Sequence, residues 1–187
     1  MESEPDLAPE VEVVRCDGGA AAVVHDLTQA AFSGYDGLDP PSGALRETVD
    51  SVRRDLEAGG GAVAFLGSAA VACLRFEAAA GDLHVRRVAV KPELQGRGIG
   101  RTLMTWAEVE AARRGLAYVT VGVRLSLPAN LAFYRGLGYE VVAEHSHPGY
   151  AGPTALSMRK RIPSARGPGG WGGRWSQIRR SLFSTPS

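Results

Sequence analysis

"QGRGIG" occupies residues 95–100, with three glycines in six positions between an apolar strand-like run and a helical one. A glycine inside a regular element costs about 0.5–1 kcal/mol relative to alanine, so such a cluster implies a ligand pressing on bare backbone. Two nucleotide motifs fail here. The dinucleotide fingerprint G-x-G-x-x-G breaks because Arg101 stands where its third glycine belongs. The phosphate loop of NTPases breaks because no lysine follows Gly100. What survives is the physics beneath both motifs, a helix N-terminus whose unpaired N–H groups attract an anion. Arg97 and Arg101 add positive charge to the same turn.

The flanks agree. "DLHVRRVAV" (82–90) reads as a strand stopped by Lys91-Pro92, and Ile99, Leu103, Ala107 and Ala111 form a helical stripe ending at Gly115. "YVTVGV" (118–123) alternates as a strand, and "PANLAFYRGLG" (128–138) reads as a short helix with proline near its start and glycine past its end. "EVVAEH" (140–145) and "TALSMRKRI" (154–162) add two strands. Upstream, "VEVVRC" (11–16) is a strand, and the segment 20–32 is helical, with Val23, Leu27, Ala30 and Ala31 as its apolar face. Leu45, Val49, Val52 and Leu56 predict a second helix on one continuous stripe, closed by Gly59 to Gly61. "AVAFLG" (62–67) and "AVACLRFEA" (70–78) flank Gly67-Ser68 as a hairpin.

The bulk numbers set bounds. The 187 residues suit one domain with a real core, and 44% apolar with 22% charged residues is a globular composition. A net charge of +1 gives no global field for nucleic acid or an anionic membrane. The charge is uneven: residues 1–10 read as a flexible acidic start, and from Arg159 onward there are seven positive charges and no acid. Residues 163–187, rich in Gly, Pro, Ser and Arg, read as a disordered basic tail. Cys16 and Cys73 make no disulfide framework and read as reduced thiols. With neither a signal-like start nor an apolar run near 18 residues, a cytoplasmic protein without a membrane span is expected.

"VRRVAVKPELQGRGIGRTLM" resembles the acetyl-CoA signature of the GCN5-related N-acetyltransferase (GNAT) family, Q/R-x-x-G-x-G/A, matched at Gln95, Gly98 and Gly100. "NLAFYRGLGYE" is similar to that family's second conserved region, through Tyr134 and Gly138-Tyr139. The resemblance covers residues 11–162 as one acetyltransferase domain. It implies an α/β (α+β) GNAT fold. The sheet would be mixed and mostly antiparallel, of about six or seven strands with splayed central strands, flanked by about four helices.

The resemblance also implies direct attack of an amine on the acetyl thioester, with acetyl-CoA as co-substrate and no metal. Val88, Ala89 and Val90 would offer backbone groups to the pantetheine arm. Gln95, Gly96, Arg97, Gly98, Ile99, Gly100 and Arg101 would wrap the pyrophosphate. Many members carry an asparagine seven residues before the tyrosine, where this chain has Leu127; Asn130 is the alternative, as a cofactor contact or a support for its helix start. Tyr134 matches the family's acid for the departing thiolate, its phenol pKa near 10 against about 8.5 for a thiol. His84 stands where some relatives carry a glutamate base, and strand alternation groups it with Arg86, Val88 and Val90. Glu77, His145, His147 or a water chain are the rival bases.

The acceptor implied is a primary amine of a small molecule or peptide. Alternatives are an aminoacyl-tRNA acceptor, with Trp171, Trp175 and the tail arginines on the nucleic acid, and a non-catalytic acyl-CoA-binding module. A homodimer is a further open partner.

Overall fold

The structure, a computed structural model, describes residues 10–35 and 37–163. The acidic start up to Pro9 and the basic tail from Ser164 lie outside them. The strands are β1 (Val11–Cys16), β2 (Gly61–Leu66), β3 (Ala69–Ala79), β4 (Asp82–Val90), β5 (Tyr118–Arg124), β6 (Glu140–His145) and β7 (Ala155–Arg161). The helices are α1 (Ala21–Phe32), α2 (Val49–Ala58), α3 (Ile99–Arg113) and α4 (Pro128–Gly136). One seven-stranded sheet runs in the order β1-β2-β3-β4-β5-β7-β6. All its pairs are antiparallel except β4 with β5. That pair must be parallel because α3 carries the chain back between them.

Two cores follow from the alternation of the strands. Leu74, Phe76, Leu83, Val85, Val119, Val121 and Val123 pack with Leu103, Met104, Ala107 and Ala111 of α3. On the other face Val63, Cys73 and Ala89 meet Val24 and Leu27 of α1 and Val52 and Leu56 of α2. The α3 stripe read from the sequence is fully buried.

Two readings are corrected. Leu27 and Ala31 of the predicted α1 stripe are buried, but Val23 is 42% exposed and Val24 fully buried, so Val24 takes the place of Val23 on that face. Alanine-rich segments such as this one satisfy several neighbouring stripes equally well, and contact with the sheet chooses among them. Leu45 does not belong to α2: residues Gly43–Arg46 form a separate 3-10 turn. The helix starts after Thr48, whose hydroxyl accepts from the Ser51 N–H at 3.2 Å while the Ser51 hydroxyl accepts from the Thr48 N–H at 2.9 Å. These reciprocal bonds fix the boundary, and apolar spacing does not register them.

The feature that shapes the site is a bulge in β4. Cys73 faces Ala89 and Arg75 faces Arg86, so Leu74 lies opposite both Arg87 and Val88. Arg87 takes a left-handed conformation (φ 53°), unusual for a residue with a side chain. The extra residue reverses the faces. Leu83 and Val85 point to the α3 core, and beyond the bulge Val88 and Val90 take that same side while Ala89 turns to α1. The grouping of His84 and Arg86 with Val88 and Val90 is thereby overturned. His84 and Arg86 lie on the α1–α2 face, level with Glu77 and Arg75 of β3.

A network of charges holds the bulge. Arg75, 1% exposed, donates to Glu47 at 2.5 Å and to Asp55 of α2 at 2.6 Å. Arg86 reaches Asp55 at 3.0 Å, and the Nε of Arg87 reaches Glu47 at 2.8 Å. Removing one member of a buried ion network leaves its partners uncompensated, which costs about 3–5 kcal/mol. Glu47 and Asp55 keep some water, so the lower end applies. Arg75→Met should therefore lower the unfolding free energy in urea by about 3 kcal/mol; a loss below about 1 kcal/mol would mean that the network does not anchor α2 to the sheet.

Candidate active site

β4 and β5 pair through only four residues each, Asp82 to Val85 against Tyr118 to Val121. Beyond them β5 stays paired with β7 as far as Arg124, and β4 goes its own way past the bulge. The two central strands splay, as expected for the fold. A cleft of roughly 430 Å³ follows the opening, within the range of small-ligand sites.

One wall is the glycine turn. Gly96 and Gly98 adopt φ 76° and 85°, conformations that L side chains rarely take. Gly98 is the residue before α3, and no side chain caps the helix there. Thr102 makes the first intrahelical bond, to the Gly98 carbonyl at 3.0 Å. The N–H groups of Ile99, Gly100 and Arg101 precede it and have no partner within the helix. Gly100 lies in the first turn of α3, where a Cβ would meet the Phe133 ring in ordinary van der Waals contact. The side chain of Gln95 folds back and donates to the Val90 carbonyl at 3.1 Å, tying the turn to the end of β4.

The other walls come from α4, β4 and the end of α1. Asn130, Phe133 and Tyr134 share one face of α4 at the i, i+3, i+4 spacing and line the cleft together. Val88 and Val90 line it from β4, and Phe32 and Tyr35 close it, their rings edge to face at 5.5 Å. Of the predicted turn residues, Gln95, Gly96, Gly98, Ile99, Gly100 and Arg101 line the cleft. Arg97 is exposed outside it, and the Ala89 side chain is buried on the opposite face. Asn130 does not cap its helix; no side chain does. Sequence reasoning misses Phe32, Tyr35, Leu94 and Phe133, because an aromatic or leucine in a loop or short helix reads equally as core.

Tyr134 is 9% exposed, and burial pushes its phenol up from the ordinary value. Its ring is braced by Phe133 at 5.0 Å and Tyr139 at 5.7 Å. Tyr139 in turn donates to Glu108 of α3 at 3.3 Å, and both Glu108 oxygens accept from Lys160 of β7 at 2.8 Å. Among the described residues no hydrogen bond engages the Tyr134 hydroxyl itself.

The histidines are on the far side of the opening. His84 Nδ1 lies 3.1 Å from Thr120 Oγ1 of β5, and burial lowers its pKa, with Glu77 working against the shift. Gly122 follows on β5 with open space where a side chain would stand. His145 lies 2.6 Å from Ser157 on β7, level with Gly122, and His147 is engaged by Thr154. Thr120, Ser157 and Arg124 join this face by strand register alone.

The family model described as "Acetyltransferase (GNAT) family" matches residues 23–139. The chain belongs to this family. It is 31% identical over 83 residues to naa20, the catalytic subunit of the N-terminal acetyltransferase B complex of Schizosaccharomyces pombe, a match over 42% of this chain and 46% of that one. The chain thus spans about half the length of that curated relative. Its fold is similar to the ribosomal-protein-S18-alanine N-acetyltransferase of Escherichia coli (TM-score 0.67, 20% identity, covering 85% of this chain and 97% of that one). It is similar also to the PaiA N-acetyltransferase of Thermoplasma acidophilum solved with coenzyme A (TM-score 0.67, 16% identity, 81% and 99% covered). Among the described residues no helix is long and apolar enough to cross a membrane, and no group of three or more His, Cys, Asp or Glu is placed to hold a metal.

The glycine turn fits a phosphate-bearing ligand, since its glycines leave backbone uncovered and the N–H groups of Ile99, Gly100 and Arg101 have no partner within the helix. Acetyl-CoA at a hundred times its Kd should stabilise the fold by about 2.7 kcal/mol, read as a rise in Tm. Gly98→Asp should abolish that rise; the space around its Cβ is open, but φ 85° strains any side chain, so the ligand-free protein should stay folded with its stability lowered by about 1–2 kcal/mol. An undiminished rise would remove the turn from the site.

Proposed function

We propose that the protein moves an acetyl group from acetyl-CoA to a primary amine of a peptide or small molecule, by direct attack within a ternary complex. The observation that carries this reading is the cleft through the splay. It joins an anion-binding helix start to a buried tyrosine at the place where β4 offers an unpaired edge. The naa20 relative, an N-terminal acetyltransferase subunit, favours a peptide among the acceptors.

In this reading the N–H groups from Gly96 to Arg101 take the pyrophosphate. The edge of β4 from Val88 to Val90 takes the pantetheine arm as an added strand, and a backbone N–H there meets the developing oxyanion. Asn130 and Phe133 border the arm from α4. Tyr134 donates to the departing thiolate. With its pKa raised by burial, the phenol stays protonated through neutral pH and remains a donor. A thiolate released into the same desolvated space is itself more basic than in water, which favours the transfer. His84 approaches from the acceptor face as the base. With Thr120 accepting from Nδ1–H, the lone pair sits on Nε2. Its lowered pKa keeps the imidazole neutral at pH 7 and able to take a proton.

General acid catalysis is worth about 10²–10⁴ in rate, so Tyr134→Phe should lower kcat by at least 10² and leave acetyl-CoA affinity nearly unchanged. A loss below about threefold would reduce Tyr134 to packing.

His84→Gln keeps volume and the Thr120 bond. In the wild type kcat/KM should rise with pH through an inflection below about 6.5, because burial lowers the pKa from that ordinary value. The variant should lose the inflection, fall about 10² or more near neutrality, and recover at high pH where the amine is already neutral. If the inflection persists in the variant, the base is another group, with Glu77 and His145 next in line.

A further inference from the structure

Tyr134 is the one buried residue of α4, and no side chain caps the start of that nine-residue helix. With no hydrogen bond of its own among the described residues, the Tyr134 hydroxyl takes its direction from ring packing. Phe133 belongs to the same helix and moves with it. Tyr139 lies past the helix end and holds Tyr134 at two points. Its N–H donates to the Tyr134 carbonyl at 3.0 Å, and the two rings meet edge to face at 5.7 Å.

Tyr139 is itself held from outside α4. Its buried hydroxyl donates to Glu108 Oε1 of α3 at 3.3 Å. Burial, and after it the Glu108 carboxylate, push this phenol well above its ordinary value, so it stays a donor through neutral pH. Glu108, also buried, accepts from Lys160 Nζ of β7 through both oxygens at 2.8 Å. The same ammonium stands 5.7 Å from the centre of the Tyr139 ring. A line of contacts thus runs from β7 through α3 and the turn after α4 to Tyr134.

An ion pair taken out of water gains little net stability, and apolar side chains of similar size commonly do as well. Stability is therefore a weak reason for Glu108 and Lys160 to meet here. What they supply that apolar residues would not is direction, because the bond to Glu108 fixes where the Tyr139 ring stands. Direction matters at a reacting group, where a displacement of about 1 Å costs about 10² in rate.

We propose that Glu108 and Lys160 are positioning residues for the acid, acting through Tyr139 on the angle of the Tyr134 hydroxyl. The proposal rests on the reading of Tyr134 as the acid and adds the residues that aim it. Neither Glu108 nor Lys160 lines the cleft, so their loss should leave cofactor binding alone.

The test uses the full-length protein, with CoA as the ligand and acetyl-CoA hydrolysis as the reaction. Water adds to the acetyl carbonyl and its proton passes to solvent. The C–S bond breaks, the departing thiolate takes a proton from the acid, and acetate and CoA are released. The acid is thus engaged whatever amine the protein serves. Glu108→Leu combined with Lys160→Met removes both charges together, and Tyr139→Phe removes only the hydroxyl; Tm is recorded for each. Both should lower kcat about tenfold or more, while CoA affinity by calorimetry stays within about twofold. Glu108→Gln, whose amide oxygen still accepts from Tyr139, should keep a larger share of kcat. In a Tyr134→Phe background the same changes should cost less than about twofold, because no hydroxyl is left to aim. A loss of equal size in both backgrounds marks a general structural role and overturns the proposal. Fluorine NMR separates the two levels, in CoA-saturated protein grown with ring-fluorinated tyrosine. The Tyr134 signal, assigned by its loss in Tyr134→Phe, should shift or broaden in the Glu108→Leu, Lys160→Met protein, whose changed side chains contact Tyr139. An unmoved signal overturns the positioning role and leaves the acid to be judged on the Tyr134→Phe rate. A moved signal with a Tyr134→Phe loss below about threefold sustains the positioning of the ring and sinks the acid.

Discussion

The site depends on one irregularity, the extra residue at Arg87 and Val88 in β4. A residue with a side chain at positive φ is strained by about 1–3 kcal/mol, and the insertion interrupts the ladder with β3. The strain persists because charges over-determine the geometry. Glu47 binds Arg87 and Arg75 at once, and Arg75 and Arg86 both reach Asp55 on α2. The strand is thereby fastened to α2 and to the loop before it. This one bend produces the parting of β4 from β5, the exchange of faces beyond it, and the cleft between. Val88 and Val90 face the cleft only because the bulge turns them there.

A second, separate network serves the opposite face. Lys160, Glu108 and Tyr139 join β7, α3 and the turn after α4, and the Tyr139 ring braces Tyr134. Gly138, at φ 86°, lets the chain turn sharply enough for the Tyr139 N–H to cap α4 on the Tyr134 carbonyl. Each face of the sheet therefore carries its own ion network. One sets the shape of the strand edge and the other sets the angle of the phenol.

The kinship is unevenly spread along the chain. The family match ends at Tyr139, before β6 and β7. The stretch it spans contains the glycine turn, the β4 bulge and the α4 tyrosine. His145, Tyr150 and Ser157 lie C-terminal to that stretch, whereas the loop from Asp39 to Glu47 that Arg124 and Tyr150 bind falls inside it. The likeness to solved acetyltransferases at 16–20% identity is one of fold.

The sequence by itself determined the elements, the glycine turn and the tyrosine helix. These are local matters: an apolar stripe such as Ile99 to Ala111, a proline at the start of α4 and glycines that accept positive φ are written in neighbouring residues. Val24 rather than Val23 on the buried side, and the division of Leu45 from α2, needed the sheet and the Thr48 cap. The larger decision was also tertiary. Nothing in "DLHVRRVAV" signals a bulge, since no glycine marks it and the run alternates well enough to read as a straight strand. Only the pairing with β3, and the Glu47 carboxylate contributed from 40 residues away, fix Arg87 in its left-handed turn and send His84 to the face opposite Val88. A strand's two faces differ by a single residue of register, and that residue is set by contacts distant in sequence.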